Sequence, residues 1–518
     1  MLHPAGTERG GLLRSAAVQR SSSLAVALSV ASVVWVASVA ATPGSPFSPV
    51  LPVGARPWGP MRWLAGLVQL DRLGGTGIVA VGVAGVAFAT AAFLLLLREA
   101  WRGTVPMRTV VWLVLAYHAV VLVLPLLFSR DVYSYAYYGR IAAVYDANPY
   151  VSAPADFPGD ALARYVGPKW FDTPAVYGPV WTLSSSLVVR LVDDVASTVA
   201  VFRALAVAAS LATVAVIASV TRRLWPDRAA FAVAAFGLNP VVLFQSVGSG
   251  HNDLLVALCV VGGLALLASR RALLATAALT LGALVKATAG VPLVLLVIAA
   301  VARAPRGRRL RALLSHAAVA GGLALAFALP FLQAEDPTLG MLELATHEGW
   351  LAPSRLFRRA LDAVSADALG IVARLVFPAI LLGALFLIAR TLVRRVGSLT
   401  PTGEGAAWGW GLLCLMLLGP VLLPWYVTWA LPLAWLLPRV PRTVLIGTGV
   451  ALTVSQWTSE PARVPAAYDA NVLFGHYVVT PVVVGLLIWL LVDLWRRSRS
   501  GAPLEDEPRD VAAAAGDR

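Results

Sequence analysis

Residues 270–303 read RRALLATAALTLGALVKATAGVPLVLLVIAAVAR, and the fold turns on them. Arg270 and Arg271 close one apolar run, and Arg303 opens a basic cluster that continues through Arg306, Arg308, Arg309 and Arg311. Cytoplasmic turns of membrane proteins collect arginine, so both ends of the stretch belong on the same side. A bilayer core takes about 20 apolar residues as a helix, and one crossing would put the two clusters on opposite sides. The stretch is therefore expected to be a hairpin of two short helices turning at Lys286-Ala-Thr-Ala-Gly290. Non-helical backbone at membrane depth is tolerated only where protein or water covers it, which points to a site at that turn.

The same two rules thread the rest of the chain. Of 518 residues 59% are hydrophobic and 13% charged, outside the range of water-soluble domains. The excess of 41 Lys and Arg over 27 Asp and Glu could suggest nucleic acid as a partner. Most of the arginine, however, sits in short turns between apolar runs, where it sets topology. Those turns are Arg98/Arg102/Arg108, Arg222/Arg223/Arg228, Arg270/Arg271, Arg303–Arg311, Arg390/Arg394/Arg395, Arg439/Arg442 and Arg496/Arg497/Arg499, and all fit one side. Cys259 and Cys414 both lie in apolar runs, so no disulfide framework is expected. The expected fold is an all-α polytopic integral membrane protein, a bundle of about 11–15 transmembrane helices. Its divisions are a cytoplasmic tail at 1–23, transmembrane helices over 24–128, an outer loop at 129–175 with an interfacial helix, a transmembrane core at 176–495 with an outer loop at 333–368, and a disordered cytoplasmic tail at 496–518. The pair near 406–438 has the same hairpin form, turning at Pro424-Trp425-Tyr426. The segment 176–195 carries Arg190, Asp193 and Asp194, and the topology closes more easily if it does not fully cross.

Three polar clusters interrupt this apolar background. The first is Ser129-Arg-Asp-Val-Tyr-Ser-Tyr-Ala-Tyr-Tyr-Gly139-Arg140, directly after an apolar span ending at Phe128. Here Tyr133, Tyr137, Ile141, Val144 and Tyr145 recur at helical spacing, a stripe that could lie in the headgroup layer with Asp131 at the mouth of the bundle. Alternatively, Asp131 simply starts the helix as a cap. The second is Ser249-Gly-His-Asn-Asp253, where Asn252 or Asp253 could cap the next helix. His251, Asn252 and Asp253 could equally recognise a polar substrate. The third is Lys286, one of two lysines in the chain with Lys169. A lysine in an apolar hairpin snorkels, pairs, or binds an anion such as phosphate. Asp172-Thr-Pro-Ala-Val-Tyr177-Gly-Pro-Val-Trp181 and Pro424-Trp425-Tyr426 bend the chain at the interface, and their aromatics anchor there or line a lipid or sugar groove. No P-loop, H-E-x-x-H, G-x-S-x-G or Asp-x-Asp pair occurs, which argues against ATP-driven transport and metalloproteolysis and gives no metal ligands.

An acid in the first large outer loop, an interfacial helix behind it and a polytopic apolar body resemble the GT-C glycosyltransferases. More closely, Leu127–Tyr135, Asn148-Pro-Tyr150, Val176-Tyr-Gly-Pro179 and Gly250-His-Asn-Asp253 look like the polyprenol-phosphate-mannose-dependent α-1,6-mannosyltransferases of actinobacterial lipoglycan assembly. After Tyr135 the chain departs from the family's usual residues with Ala136-Tyr-Tyr-Gly139. The resemblance implies transfer of mannose from polyprenyl phosphate to an extracytoplasmic glycan or glycolipid, with inversion, at the plasma membrane and without a cofactor or metal. It also implies roles. Asp131 is the catalytic base, and Lys286, helped by Arg130 or Arg140, meets the departing phosphate. His251, Asn252 and Asp253 orient the substrates, with Tyr135, Tyr177, Trp425 and Tyr426 beside them. The partners expected are membrane lipid, the lipid-linked donor and the acceptor, with no nucleic acid. The other class weighed is a transporter or flippase of a lipid-linked sugar; a structural scaffold leaves Lys286 without a reason.

Overall fold

A computed structural model describes residues 6–52, 59–332, 339–342, 349, 351–362 and 370–506. Among them the regular elements are all helical. In chain order they begin with α1 (Gly6–Ala41), α2 (Gly59–Val68), α3 (Gly75–Trp101), α4 (Met107–Val123) and α5 (Asp131–Ala143). There follow α6 (Pro168–Phe171), α7 (Pro179–Leu191), α8 (Val195–Leu224), α9 (Ala229–Gly237) and α10 (Asp253–Ala268). Next come α11 (Ala272–Val285), α12 (Gly290–Arg303), α13 (Arg309–Ala328), α14 (Pro353–Asp362) and α15 (Gly370–Arg394). The last are α16 (Pro401–Leu418), α17 (Arg439–Thr453), α18 (Pro465–Phe474) and α19 (Thr480–Ser500). Six helical stretches among the described residues are long and apolar enough to cross a membrane, and α9 with the bent π-helical turn Val241–Val247 makes up to seven. The other apolar helices are shorter. The protein is a multi-pass, all-α membrane protein.

The hairpin at 272–303 breaks where Lys286 stands. Helix α11 ends at Val285, Lys286 is extended, a 3-10 turn covers 287–289, and α12 starts at Gly290. Each limb has 14 residues, about 21 Å of helix against a hydrocarbon core of about 30 Å. Segment 179–191 is likewise short, with 13 residues, and packs on α5. The second expected hairpin takes a different form. After α16 the chain returns as two 3-10 helices, Pro424–Trp429 and Leu431–Leu433, instead of an α-helix. Pro432, in the middle of the limb, has no backbone N–H to donate and interrupts an α-helical ladder there, whereas Pro424 stands at the start of its helix, where proline is tolerated.

The arginine turns do gather at one end of the bundle. Arg228 and Arg442 each lie over the Trp101 ring, at 4.3 and 4.1 Å, and each donates to the Asp506 carboxylate at 2.8 Å. Arg303 pairs with Glu404, and Arg395 donates to the carbonyl of Gly501 at 2.6 Å. The C-terminal segment 501–506, expected to be disordered, is therefore part of the body. Trp410 Nε1 donates to Leu504 O at 3.0 Å and Asp506 N to Leu436 O at 2.8 Å, so the segment closes over α16 and the return limb. Residues 507–518 and most of the expected loop 333–368 lie outside the described residues.

The opposite end holds the polar clusters. There α5 departs from the expectation that its aromatic stripe lies in the headgroup layer. Of the stripe, Tyr133, Tyr137 and Ile141 are buried, as are the neighbouring Tyr135 and Tyr138, covered by α7, α8 and the surrounding loops, while Val144 is 51% exposed and Tyr145 half-buried. The phenols face inward because each pins a separate loop. Tyr133 donates to Val50 O, Tyr137 to Phe157 O and Tyr138 to Thr173 O. At this end α2 has an apolar exposed side, where Trp63 and Leu67 are 67% and 60% exposed.

Candidate active site

Three chain segments converge at the loop end: the turn before α5, the loop before α10, and the Lys286 break. The first two are stitched together by their backbones. Leu127 N donates to Gly248 O at 3.1 Å, and Ser249 Oγ donates to Leu127 O at 2.6 Å. Phe128, next in the chain, sits at φ +53°, a left-handed conformation costly for a bulky residue. It is held there by a bond to Phe47 O at 2.6 Å and by Gln456 donating to its own carbonyl at 3.0 Å. The turn then points Asp131 toward the second segment. Gly250, at φ +71°, lets that segment approach, because a Cβ there would lie 2.6 Å from Val132 Cγ2.

The alternative of simple capping is not what the structure shows. Helix α5 has no side-chain cap; instead Asp131 N donates to Ser129 Oγ at 3.1 Å. Helix α10 likewise starts without a cap bond from Asn252. The side chains face one another instead. Asp131 Oδ2 is 3.5 Å from His251 Nδ1, and Tyr135 Oη reaches the same nitrogen at 3.3 Å. The Tyr135 hydroxyl also donates to Asn252 Oδ1 at 3.5 Å, and the Tyr135 ring meets the Tyr177 ring edge-on at 4.9 Å. Tyr177 is placed by Gly178, whose N–H donates to Val285 O at 3.0 Å and whose missing Cβ avoids Leu284 O. Burial pushes the Asp131 carboxyl up to about 6, while Ser129, Lys286 and Tyr177 oppose the rise. Perturbed carboxyls of this kind concentrate at functional sites.

Lys286 neither snorkels nor stands alone. Its Nζ is 2.8 Å from Asp253 Oδ1, and the ammonium lies 4.6 Å from the Tyr426 ring centre and 5.4 Å from that of Trp429. Trp425 stacks on His251 at 3.8 Å, and Tyr426 stacks on Trp429 at 4.2 Å. Asp131 and Lys286 thus reach neighbouring residues of one loop, His251 and Asp253. Four buried polar atoms around them make no hydrogen bond: His251 Nε2, Asn252 Nδ2, Asp253 Oδ2 and Thr288 Oγ1. Beside Lys286 opens a cavity of about 620 Å³, lined mainly by apolar side chains of α12, α15 and α16 such as Leu295, Leu382, Phe386 and Met416. Lys286, Thr288, Tyr426 and Trp429 also line it.

Of the residues singled out in the sequence, Tyr135, Tyr177, His251, Asn252, Asp253, Lys286, Trp425 and Tyr426 surround this point with Asp131. The two arginines are engaged elsewhere. Arg130 makes a two-pronged pair with Glu460 at 2.8 and 2.5 Å, and Arg140 pairs with Asp160 at 2.7 Å. The expectation that one of them helps Lys286 therefore gives way to a structural role, since each guanidinium already faces a carboxylate. Trp429 was missed, although its Nε1 donates to Asp253 Oδ1 at 2.6 Å. Its place in the aromatic run 424–429, one helical turn after Trp425, was the available signal. Among the described residues no three His, Cys, Asp or Glu side chains gather as for a metal ion.

Residues 22–303, which carry Asp131, the 250–253 loop and Lys286, match the family described as alpha-(1->6)-mannopyranosyltransferase, N-terminal domain. The chain is also 30% identical over 416 residues to alpha-(1->6)-mannopyranosyltransferase A of Mycobacterium tuberculosis (strain ATCC 25618 / H37Rv), a match covering 76% of this chain and 77% of that protein. No solved structure matched. Both matches are to transferases, and neither supports the carrier considered as an alternative. The chain belongs to the alpha-(1->6)-mannopyranosyltransferase family of glycosyltransferases.

Proposed function

We propose that the protein moves mannose from polyprenyl phosphate to a hydroxyl of a glycan or glycolipid acceptor at the extracytoplasmic face of the plasma membrane. The observation that carries this reading is the junction at Lys286. An ammonium with a hydroxyl and two aromatic rings stands at the polar end of an apolar cavity of about 620 Å³. An amphiphile with an isoprenoid tail and a phosphate head matches both halves, and a soluble nucleotide donor matches only the head. The arginine turns at the far end support an extracytoplasmic site by the positive-inside rule.

The chemistry follows from which groups are free to act. The acceptor oxygen attacks the anomeric carbon opposite the phosphate, the new C–O bond forms as the bond to phosphate breaks, and the configuration inverts from β to α. Asp131 takes the hydroxyl proton; a carboxylate raised to about 6 is a better base than an ordinary one and is still mostly ionised at pH 7. Lys286 turns from Asp253 to the departing phosphate, whose charge it balances without a proton transfer. Asp253 keeps the Trp429 N–H meanwhile. His251, stacked on Trp425, orients the Asp131 carboxylate and offers Nε2 to a substrate hydroxyl. No residue here is assigned to hold a metal.

The test is product analysis in lipid vesicles. Purified protein given polyprenyl-phosphate mannose and an α-1,6-linked mannoside is expected to release free polyprenyl phosphate and form one new α-mannosidic bond. Nucleoside-diphosphate mannose should give no product. Transfer from the nucleotide alone, or movement of intact lipid-linked mannose across the bilayer, would overturn the donor assignment.

A further inference from the structure

A second cavity, of about 610 Å³, lies at the same end of the molecule between the end of α1, the strap 42–51 and α2. It differs in chemistry from the apolar groove. Thr42, Ser45, Ser48, Asp71 and Arg463 bring hydroxyls, a carboxylate and a guanidinium to its wall, and Gly66 of α2 lies at the rim. Asp71, Gly66 and Arg463 are exposed, so the cavity opens outward. A wall carrying both an acid and a base repels neither sign, so it suits a neutral ligand. Hydroxyl groups, which donate and accept at once, satisfy Asp71 and Arg463 together. Its volume falls within the usual 300–1,000 Å³ range of ligand sites.

The position ties the cavity to Asp131. The strap is its wall on one side and supports the start of α5 on the other. Phe47 O accepts from Phe128 N at 2.6 Å, and Val50 O accepts from the Tyr133 hydroxyl at 2.7 Å. Glu460 Oε1 takes both Val50 N at 3.1 Å and Arg130 Nε at 2.8 Å, and Arg130 is the residue before Asp131. Arg463 secures the strap from the cavity side, donating to Ser45 O and Ser48 O at 3.0 and 3.1 Å. One strap thus separates a polar, outward-opening cavity from the base.

We propose that this cavity is a second saccharide subsite, which takes sugar residues of the acceptor glycan distant from the hydroxyl that reacts at Asp131. The proposal rests on the reading of a glycan acceptor above. It makes the enzyme prefer long acceptors and explains why the strap and the 460–463 segment are tied to Arg130.

The test is binding without donor, by titration calorimetry of the full chain in lipid nanodiscs with α-1,6-linked dimannoside and hexamannoside. The hexamannoside is expected to bind about tenfold more tightly, a difference of about 1.4 kcal/mol. Asp71→Ala removes the carboxylate. Gly66→Phe sets a ring at the rim to obstruct the mouth, at a position where an added Cβ meets nothing within 4 Å. Each should shrink the length advantage to about twofold or less. Equal binding of the two glycans to the native protein, or an advantage unchanged in both variants, overturns the subsite. Should donor transfer fail while the length advantage and its loss persist, the donor assignment falls and the subsite stands.

Discussion

The two ends of the bundle use charge in opposite ways. At the arginine end the carboxylates are held by guanidiniums: Asp506 takes two, Glu404 takes Arg303, and Asp493 takes Arg497. At the site end the one ammonium pairs with Asp253, the Asp131 carboxylate faces His251, and the donors and acceptors of His251, Asn252 and Asp253 are only partly used. Charges that hold a fold together are paired because an unpaired buried ion is costly. Charges left under-satisfied in a lined pocket are available to a ligand. A phosphate that takes Lys286 must displace the Asp253 carboxylate from it.

That contrast can be broken from the site end first. Asp131→Asn keeps the shape and removes the proposed base, so turnover in vesicles should fall about 10²–10⁴-fold while the melting temperature stays level or rises. Lys286→Gln should lower kcat by about 10²–10³-fold and also destabilise the protein by about 3–5 kcal/mol, because Asp253 is left buried with only Trp429. Adding Asp253→Asn sharpens the distinction: chemical denaturation should show most of the stability restored, and the transfer assay should show no recovery. If the double variant recovers transfer, Lys286 serves the fold alone. Gly250→Ala forces a Cβ against Val132 at a positive φ and should reduce stability by about 1–3 kcal/mol, with kcat falling by up to about 10²-fold as Asp131 shifts from the loop.

At the other end the effect should be smallest. Asp506→Asn removes the shared partner of Arg228 and Arg442 and should lower stability by about 1–3 kcal/mol, with kcat and KM unchanged. A change in kcat there would mean that the clasp communicates with the site.

Much of this division was legible in the sequence because it rests on local, one-dimensional signals. Arginine spacing around 270–303 gave away the hairpin, and Lys286, one of two lysines, marked its break. The clusters at 129–140 and 249–253 stood out because polar residues are rare between apolar runs. What could not be read were pairings over long separations. Glu460 lies 330 residues from Arg130, and nothing near either position announces the pair. The burial of the α5 tyrosines was also hidden, since the helical spacing of an aromatic stripe is the same whether lipid or protein covers it. Pro432 was visible, but the weight of apolar composition favoured an α-helical return limb that it interrupts.

The central claim is that Asp131 is the base and that its burial sets the working pH. Single-turnover transfer from polyprenyl-phosphate mannose, followed from pH 4.5 to 8.5 in vesicles, tests it most directly. Protonation removes the base, so the rate should be full above and lost below an acid limb centred near 6, the raised value of the Asp131 carboxyl. In Asp131→Asn the residual rate should show no such limb. A limb that stays near pH 6 in the variant, or one near 4 in the native enzyme, would contradict the assignment.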